Sequence, residues 1–493
     1  MKAQSKRDYV WLFGYNSNAY PEHPGVDGVV LDFNLVPIDI EAREIALVLN
    51  WNYSGICDTA GNLLLYTNGC KVANGQHQIV ENGEGLGPGP FYDQFCDDYG
   101  YVIPNGSIIL PVPNNSNLFF LFHEEGTIVS QASDAGVRKL YLTTVDMNYN
   151  NSYGMVIDKN QTIIEDTLNY GEITAIKHAN GFDWWLMVPQ FQNGKYYTLL
   201  IDGLGVNDII QQSVGLPTTV SGEGGGQGIF SPDGQLYIRS NPNDGTFIFD
   251  FNRNTGLLSN FRFISPFDDG SLWGGLAVSP NSRFLYVFTS LNAFQYDLWV
   301  DDIPASEVLV AEYDGFMNPF ATIFYQGRIG PDCKIYVNSS ATVRNLHVIH
   351  YPNEKGVACG FEQHAITLPH NQGRTLPNLP SNFNLDVGPP CDTSLIISSV
   401  SSPFPSPQIP EKLFRVFPNP ASDYVMVEPE TKKMIKGVRV VLNNALGAVV
   451  LQKQMEERSY LLDTEGIVPG IYTLSVFSGA TLLQSERVVV FGW

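Results

Sequence analysis

Oxygen-rich stretches are the first candidates for chemistry in this 493-residue chain. Asp250-Phe251-Asn252-Arg253-Asn254-Thr255-Gly256 alternates oxygen-bearing side chains as a calcium loop does. An EF-type loop needs its Gly one place earlier and a bidentate Glu downstream. Neither is present, so an inter-strand turn is the stronger reading. Asp268-Asp269-Gly270 and Asp301-Asp302 are similar spots. A structural calcium is the alternative to a solvated turn there; no other cofactor is expected.

The nitrogen, sulfur and aromatic candidates are thinner. His347 and His350 are three apart, which on a strand sends them to opposite faces and away from a shared metal. No Gly-x-Ser-x-Gly elbow occurs, and the Gly222–Gly226 run lacks the Lys of a phosphate-binding loop. Trp184, Trp185 and Trp273 could stack on sugars, although by default one residue of each adjacent strand pair faces a sheet interface. Six cysteines include no Cys-x-x-Cys pair, which argues against zinc. Cys70 with Cys96 is the best candidate disulfide, with buried free thiols as the alternative.

The elements that would position these residues are short strands. From Gly226 to Gly256 a turn–strand–turn–strand rhythm is clear. Ser231-Pro232-Asp233-Gly234 is a turn tetrapeptide, and Gln235–Ser240 alternates as a half-buried strand does. Similar turns fall near Ala60, Asn115, Asn180, Pro232, Pro280 and Pro331, with spacings of 55, 65, 52, 48 and 51 residues. A period near 50 with four short strands per period predicts an all-β propeller. Seven blades are expected, with six or eight as alternatives. The seventh would combine Ile366–Asp386 with the N-terminal strand and so close the ring. Gly69–Tyr101 is expected to be a long Gly-rich loop.

Residues 391–413 are rich in Ser and Pro and read as a linker between a propeller at 1–390 and a small domain at 414–493. About seven strand signals in the last 80 residues predict an immunoglobulin-like sandwich. Residues 411–493 carry 9 basic and 9 acidic residues, so the whole net charge of −22 lies in the first 410. Such an acidic surface argues against nucleic acid. No apolar run reaches transmembrane length.

The tail resembles the C-terminal sorting domain of the type IX secretion system of Bacteroidetes. The matching pieces are Phe417-Pro418-Asn419-Pro420-Ala421, Asp423-Tyr424-Val425, Asn444-Ala445-Leu446-Gly447, Pro469-Gly470-Ile471-Tyr472 and Arg487–Val490. Phe491-Gly492-Trp493 departs from the pattern by adding an aromatic end. The resemblance implies that Phe417, Pro418, Asn419, Pro420, Leu446, Gly447, Pro469, Gly470 and Tyr472 form a sorting signal. It also implies an outer-membrane shuttle and translocon as partners, and secretion or surface display, often with the tail cut off near the linker. An N-terminal export signal is implied too; Met1–Arg7 does not show one, so the chain is read as the form with that signal removed.

The large domain resembles the propeller of exported Bacteroidetes proteins related to gliding-motility-associated cargo. The likeness rests on Asp58–Gly69, His178–Trp185, Gly228–Leu236, Phe249–Gly256, Ser279–Val287, Gln295–Asp297 and Gly330–Tyr336. Cys333 stands where that turn usually has Gly. The resemblance brings no catalytic residue. The expected function is an exported propeller that binds a protein or glycan without catalysis. The alternatives are a hydrolase or lyase with its site at the channel mouth, and a structural subunit of a surface assembly.

Overall fold

The computed structural model describes residues 5–16, 23, 25–128, 136–149, 152–218, 225–384, 414–419, 421–429, 438–444, 448–455, 460–478 and 481–491. The linker at 391–413 lies outside them. The chain divides into two compact units, 1–395 and 396–493. No helix among the described residues is long and apolar enough to cross a membrane.

The first unit consists of antiparallel sheets in chain order. Sheet one has three strands, Val10–Gly14, Gly28–Asp32 and Asp39–Ala42. Sheets two and three have four strands each and span residues 54–84 and 107–168. They are joined at their outer strands by a single parallel pairing, Glu81 with Met155. Sheets four to seven, at 174–213, 227–264, 275–312 and 327–367, have four strands each. First strands of neighbouring sheets lie against one another, as Ser54–Cys57 does against Ser107–Pro111 and Thr174–Lys177 against Gln227–Phe230.

Apolar clusters bind each sheet to the next. One joins sheets two, three and four; others join four with five, five with six, and six with seven. Trp11, Phe13 and Leu31 of sheet one then pack on Tyr336, Leu346 and Val348 of sheet seven. Leu12 and Val30, on its opposite face, pack with Tyr66 and Ala73 of sheet two. The packing therefore closes on itself, and every sheet is covered on both faces. This corrects the half-buried reading of Gln235–Ser240: Tyr237 and Arg239 are as buried as Ile238.

The turns between first and second strands explain the sequence period. In five of them the fourth residue takes positive φ: Gly61, Gly181, Gly234, Ser282 and Cys333. Its N–H donates back to the first residue's carbonyl, as Gly234 does to Ser231 (2.8 Å) and Ser282 to Ser279 (2.8 Å). Glycine adopts this left-handed conformation without strain. Cys333 adopts it with φ 72° and is itself disulfide-bonded.

Two other expectations are corrected. Gly69–Tyr101 is not one loop: it contains strands Lys71–Asn74 and Ile79–Glu84 and a short helix, Pro90–Phe95. Pro at the first helical turn and the Phe91 side chain packed in the core account for that helix. Cys70 and Cys96 form a disulfide across this segment, with Cα atoms 5.7 Å apart. Cys57 and Cys359 are buried free thiols.

Nor do the described residues of Ile366–Asp386 supply a strand to sheet one, whose three described strands come from residues 10–42. Ile366 belongs to the last strand of sheet seven, Phe361–Thr367. The residues that follow run along the inner strands through the centre of the ring. Pro377 and Pro380 lack N–H groups, so an extended path leaves fewer buried donors to satisfy. The Asn378 amide nitrogen lies within bonding distance of the carbonyls of Asn105 (3.3 Å), Ser107 (3.0 Å) and Ile173 (2.9 Å). Its own carbonyl accepts from Ser54 Oγ (2.7 Å). Ser381 N donates to Ala175 (3.1 Å) and its Oγ accepts from Phe230 N (3.1 Å). Arg328 Nη2 donates to the carbonyls of Leu379 and Pro380. One segment thus reaches sheets two, three, four, five and seven.

The described residues of the second unit form seven strands in two sheets. One holds Phe414–Phe417, Tyr424–Pro429 and Tyr460–Asp463; the other holds Val438–Asn443, Val449–Met455, Gly470–Ser478 and Thr481–Val490. Val425 and Val427 from the first, and Val438, Val440 and Leu442 from the second, alternate into a shared core.

Asn378→Ala removes the amide that serves these buried carbonyls. An orphaned buried group costs about 1–3 kcal/mol, so the variant should lose roughly 3 kcal/mol in urea unfolding. A loss below about 1 kcal/mol would show that the amide does not hold the ring together.

Candidate functional site

In the second unit three of the predicted signal residues, Asn419, Gly470 and Tyr472, meet the end of the last strand. Asn419 Oδ1 accepts from Val489 N (3.0 Å). Ala421 N donates to Val489 O (2.7 Å), and Ala421 O accepts from Phe491 N (2.9 Å). Gly470 pairs with Val490 and Tyr472 with Val488. The Tyr472 ring is buried in the core and its hydroxyl donates to Val468 O. Phe417 and Pro418 lead into this stitch, and Pro469 is exposed at the start of Gly470–Ser478. Asn444 Oδ1 accepts from Ala448 N (3.0 Å). Pro420, Leu446 and Gly447 lie outside the described residues.

In the first unit the oxygen-rich spots bond to their own turns and neighbouring strand. Asp250 bonds Arg262 and Asn260, and Asn252 Oδ1 accepts from Asn254 N (2.9 Å). Asp269 accepts from Ser271 N (3.0 Å), and Asp302 accepts from Ala305 N (3.1 Å). Gly222–Gly224 lie outside the described residues. Among the described residues no group of three or more His, Cys, Asp or Glu could hold a metal ion.

His347 and His350 part as their spacing predicts. His347 is buried, which pushes its imidazole down to about 3, and its Nδ1 accepts from His364 N. His350 Nε2 sits 2.7 Å from Glu362 near the surface. Trp184 and Trp185 are both buried, one facing sheet three and the other sheet five.

The ring centre holds charged groups that the sequence reading did not single out. Arg239 Nε donates to Glu172 Oε2 (2.8 Å), and the two side chains are 2% and 1% exposed. Burial raises the Glu172 carboxyl and Arg239 opposes that rise. Glu124 is buried beside them, and its Oε2 accepts from Gly171 N (2.9 Å). Burial, with Glu172 adding to it, holds the Glu124 carboxyl well above the usual carboxylate range. Half-buried Trp51 and Trp273 lie 5.3 Å apart, and the Arg374 guanidinium sits 4.6 Å from the Trp51 ring centre. Arg374 belongs to the central segment, and its N donates to Asn50 O. The one signal in the sequence was an Arg inside a strand with apolar neighbours.

Residues 415–490 match the family described as the secretion system C-terminal sorting domain. The tail is thus a type IX sorting domain, which implies engagement with that machinery and delivery to the cell surface or beyond. No curated protein matches the chain. A protein from Lactobacillus plantarum is 13% identical, with 75% of this chain and 99% of that one covered at a TM-score of 0.42. A putative 6-phosphogluconolactonase from Bacteroides fragilis is 11% identical, with 75% and 98% covered at 0.43. PorZ, an essential surface component of the type-IX secretion system of Porphyromonas gingivalis, is 12% identical, with 94% and 68% covered at 0.30. These are likenesses of fold.

Glu124 gives a pH test. Its native carboxyl keeps a proton that the unfolded chain releases near the ordinary value of 4.5. Stability therefore falls as pH rises above that value, by about 1.4 kcal/mol per pH unit until the native carboxyl itself ionises. Glu124→Gln keeps the acceptor for Gly171 and has no proton to lose. It should flatten the decline between pH 5 and pH 8 in urea titrations and unfold later than the wild type at pH 8. Equal pH slopes for the two proteins would overturn this.

Proposed function

We propose that this chain is an exported seven-bladed β-propeller that binds a protein or glycan, carried out by its C-terminal sandwich. The domains are then 1–390, a linker at 391–413 and 414–493. The observation that carries the export reading is the convergence of Asn419, Ala421, Gly470 and Tyr472 on the last strand, within the matched segment 415–490. Phe417, Pro418, Pro420, Leu446, Gly447 and Pro469 complete the proposed signal.

Binding rather than catalysis is favoured by the ring centre. A propeller hydrolase or lyase would need its carboxylates reachable from the channel mouth. Here the chain's own residues 371–384 occupy that path, and Glu172 and Glu124 are buried beneath the surface. Ligand contact then falls to the outer turns and the rims of the sheets.

Deleting residues 414–493 should leave the propeller folded and strand it in the periplasm. Cell fractionation with limited proteolysis checks both halves of this. Release of the truncated protein into the medium would refute the export role of the tail. Folding of the truncated unit separately tests the domain division.

A further inference from the structure

The geometry points to an anionic saccharide, a uronate or a sulfated sugar, as the ligand of a groove between sheets three and four. This rests on reading the propeller as a ligand-binding module. The groove has a volume of about 350 Å³ and is lined by Arg7, Asn115, Ser116, Lys177, Phe182 and Trp184, among others. That size lies in the range of small-molecule sites, roughly 300–1,000 Å³, and far exceeds an inorganic anion.

Its charge is opposite to that of the molecule. The described lining contains two cations, Arg7 and Lys177, and no carboxylate, in a chain of net charge −22. At physiological salt, interactions fade over about 8 Å. Asp58, which acts on Arg7, and Asp183, on the Phe182 turn, are carboxylates nearby but outside the lining, so a ligand seated between Arg7 and Lys177 meets these two cations directly. Both cations are held in place. Lys177 Nζ donates to Gly181 O (3.1 Å) and lies 4.7 Å from the Trp184 ring centre. Arg7 Nη1 donates to Cys57 O (3.3 Å), and a guanidinium keeps its charge under partial burial.

The walls suit a sugar. Phe182 is 53% exposed, an apolar ring left standing at a rim. It stands on a fixed turn: Asn180 Oδ1 accepts from Phe182 N (2.9 Å) and Asp183 N (3.1 Å). The Trp184 indole N–H donates to Pro111 O (3.0 Å) and ties this wall to the opposite one. There the exposed Asn115 and Ser116 offer amide and hydroxyl groups. A rigid aromatic face takes the C–H face of a sugar by dispersion, the polar rim takes its hydroxyls, and the two cations take its acid group.

The test is calorimetry on the full chain with trigalacturonate, a sulfated chondroitin disaccharide and neutral cellotriose, at 50 and 300 mM NaCl. At least one anionic sugar should bind tenfold or more tighter than cellotriose and weaken at high salt. Comparing the two anionic probes separates carboxylate from sulfate recognition. Lys177→Met and Phe182→Ala should each weaken binding at least tenfold; Phe182 is exposed, so its variant tests the groove without touching the core. Equal affinity for cellotriose, or unchanged affinity in both variants, would overturn the assignment. If neither anionic sugar binds but other glycans on an array do, the groove assignment falls and the binding reading stands. A blank array together with no captured surface protein overturns both.

Discussion

The first unit depends on how the centre of its ring is filled. Inner strands present carbonyl and N–H groups toward the axis, and buried backbone groups must find partners. Here the partner is the chain itself. Asn378 alone brings together Ser54, Asn105, Ser107 and Ile173, from successive sheets. Ser381, Asn382 and Arg328 continue the same role around sheets four, five and seven. At its far end Asn384 exchanges two hydrogen bonds with Ser5, bringing the segment to the N-terminal part of the described chain.

Much of this fold is legible locally. The turns repeat because one position in each needs positive φ, and Gly61, Gly181 and Gly234 mark it in the sequence. Apolar alternation such as Val438, Val440 and Leu442 marks the sandwich strands. What is hidden is non-local. Nothing in residues 371–384 announces a filled channel, because their amides look like those of any polar connection until partners as much as 379 residues away are known. The covered second face of each sheet is hidden for the same reason: Tyr237 and Arg239 read as a wet face until sheet four is placed beside them.

The candidate sites divide the same way. Sorting residues stand in short motifs, so their types and order could be read directly. Glu124, Glu172 and Arg239 come from three separate places in the chain, and only folding assembles them. Burial then makes them unlike their surface counterparts: an ion pair deep in the ring is tied to the packing around it, and removing one partner leaves an uncompensated charge.

The stitch in the sandwich has a consequence for timing. Asn419 and Ala421 are made some 70 residues before Val489 and Phe491, yet their partners lie on that last strand. On the proposed assignment of Asn419, Gly470 and Tyr472 to the signal, the address is therefore not a linear tag that can be read as it emerges from the ribosome. It comes into being only when synthesis has passed residue 490. A prematurely terminated chain could carry a complete propeller and most of the motif and still have no address, so the geometry makes completeness a condition of departure.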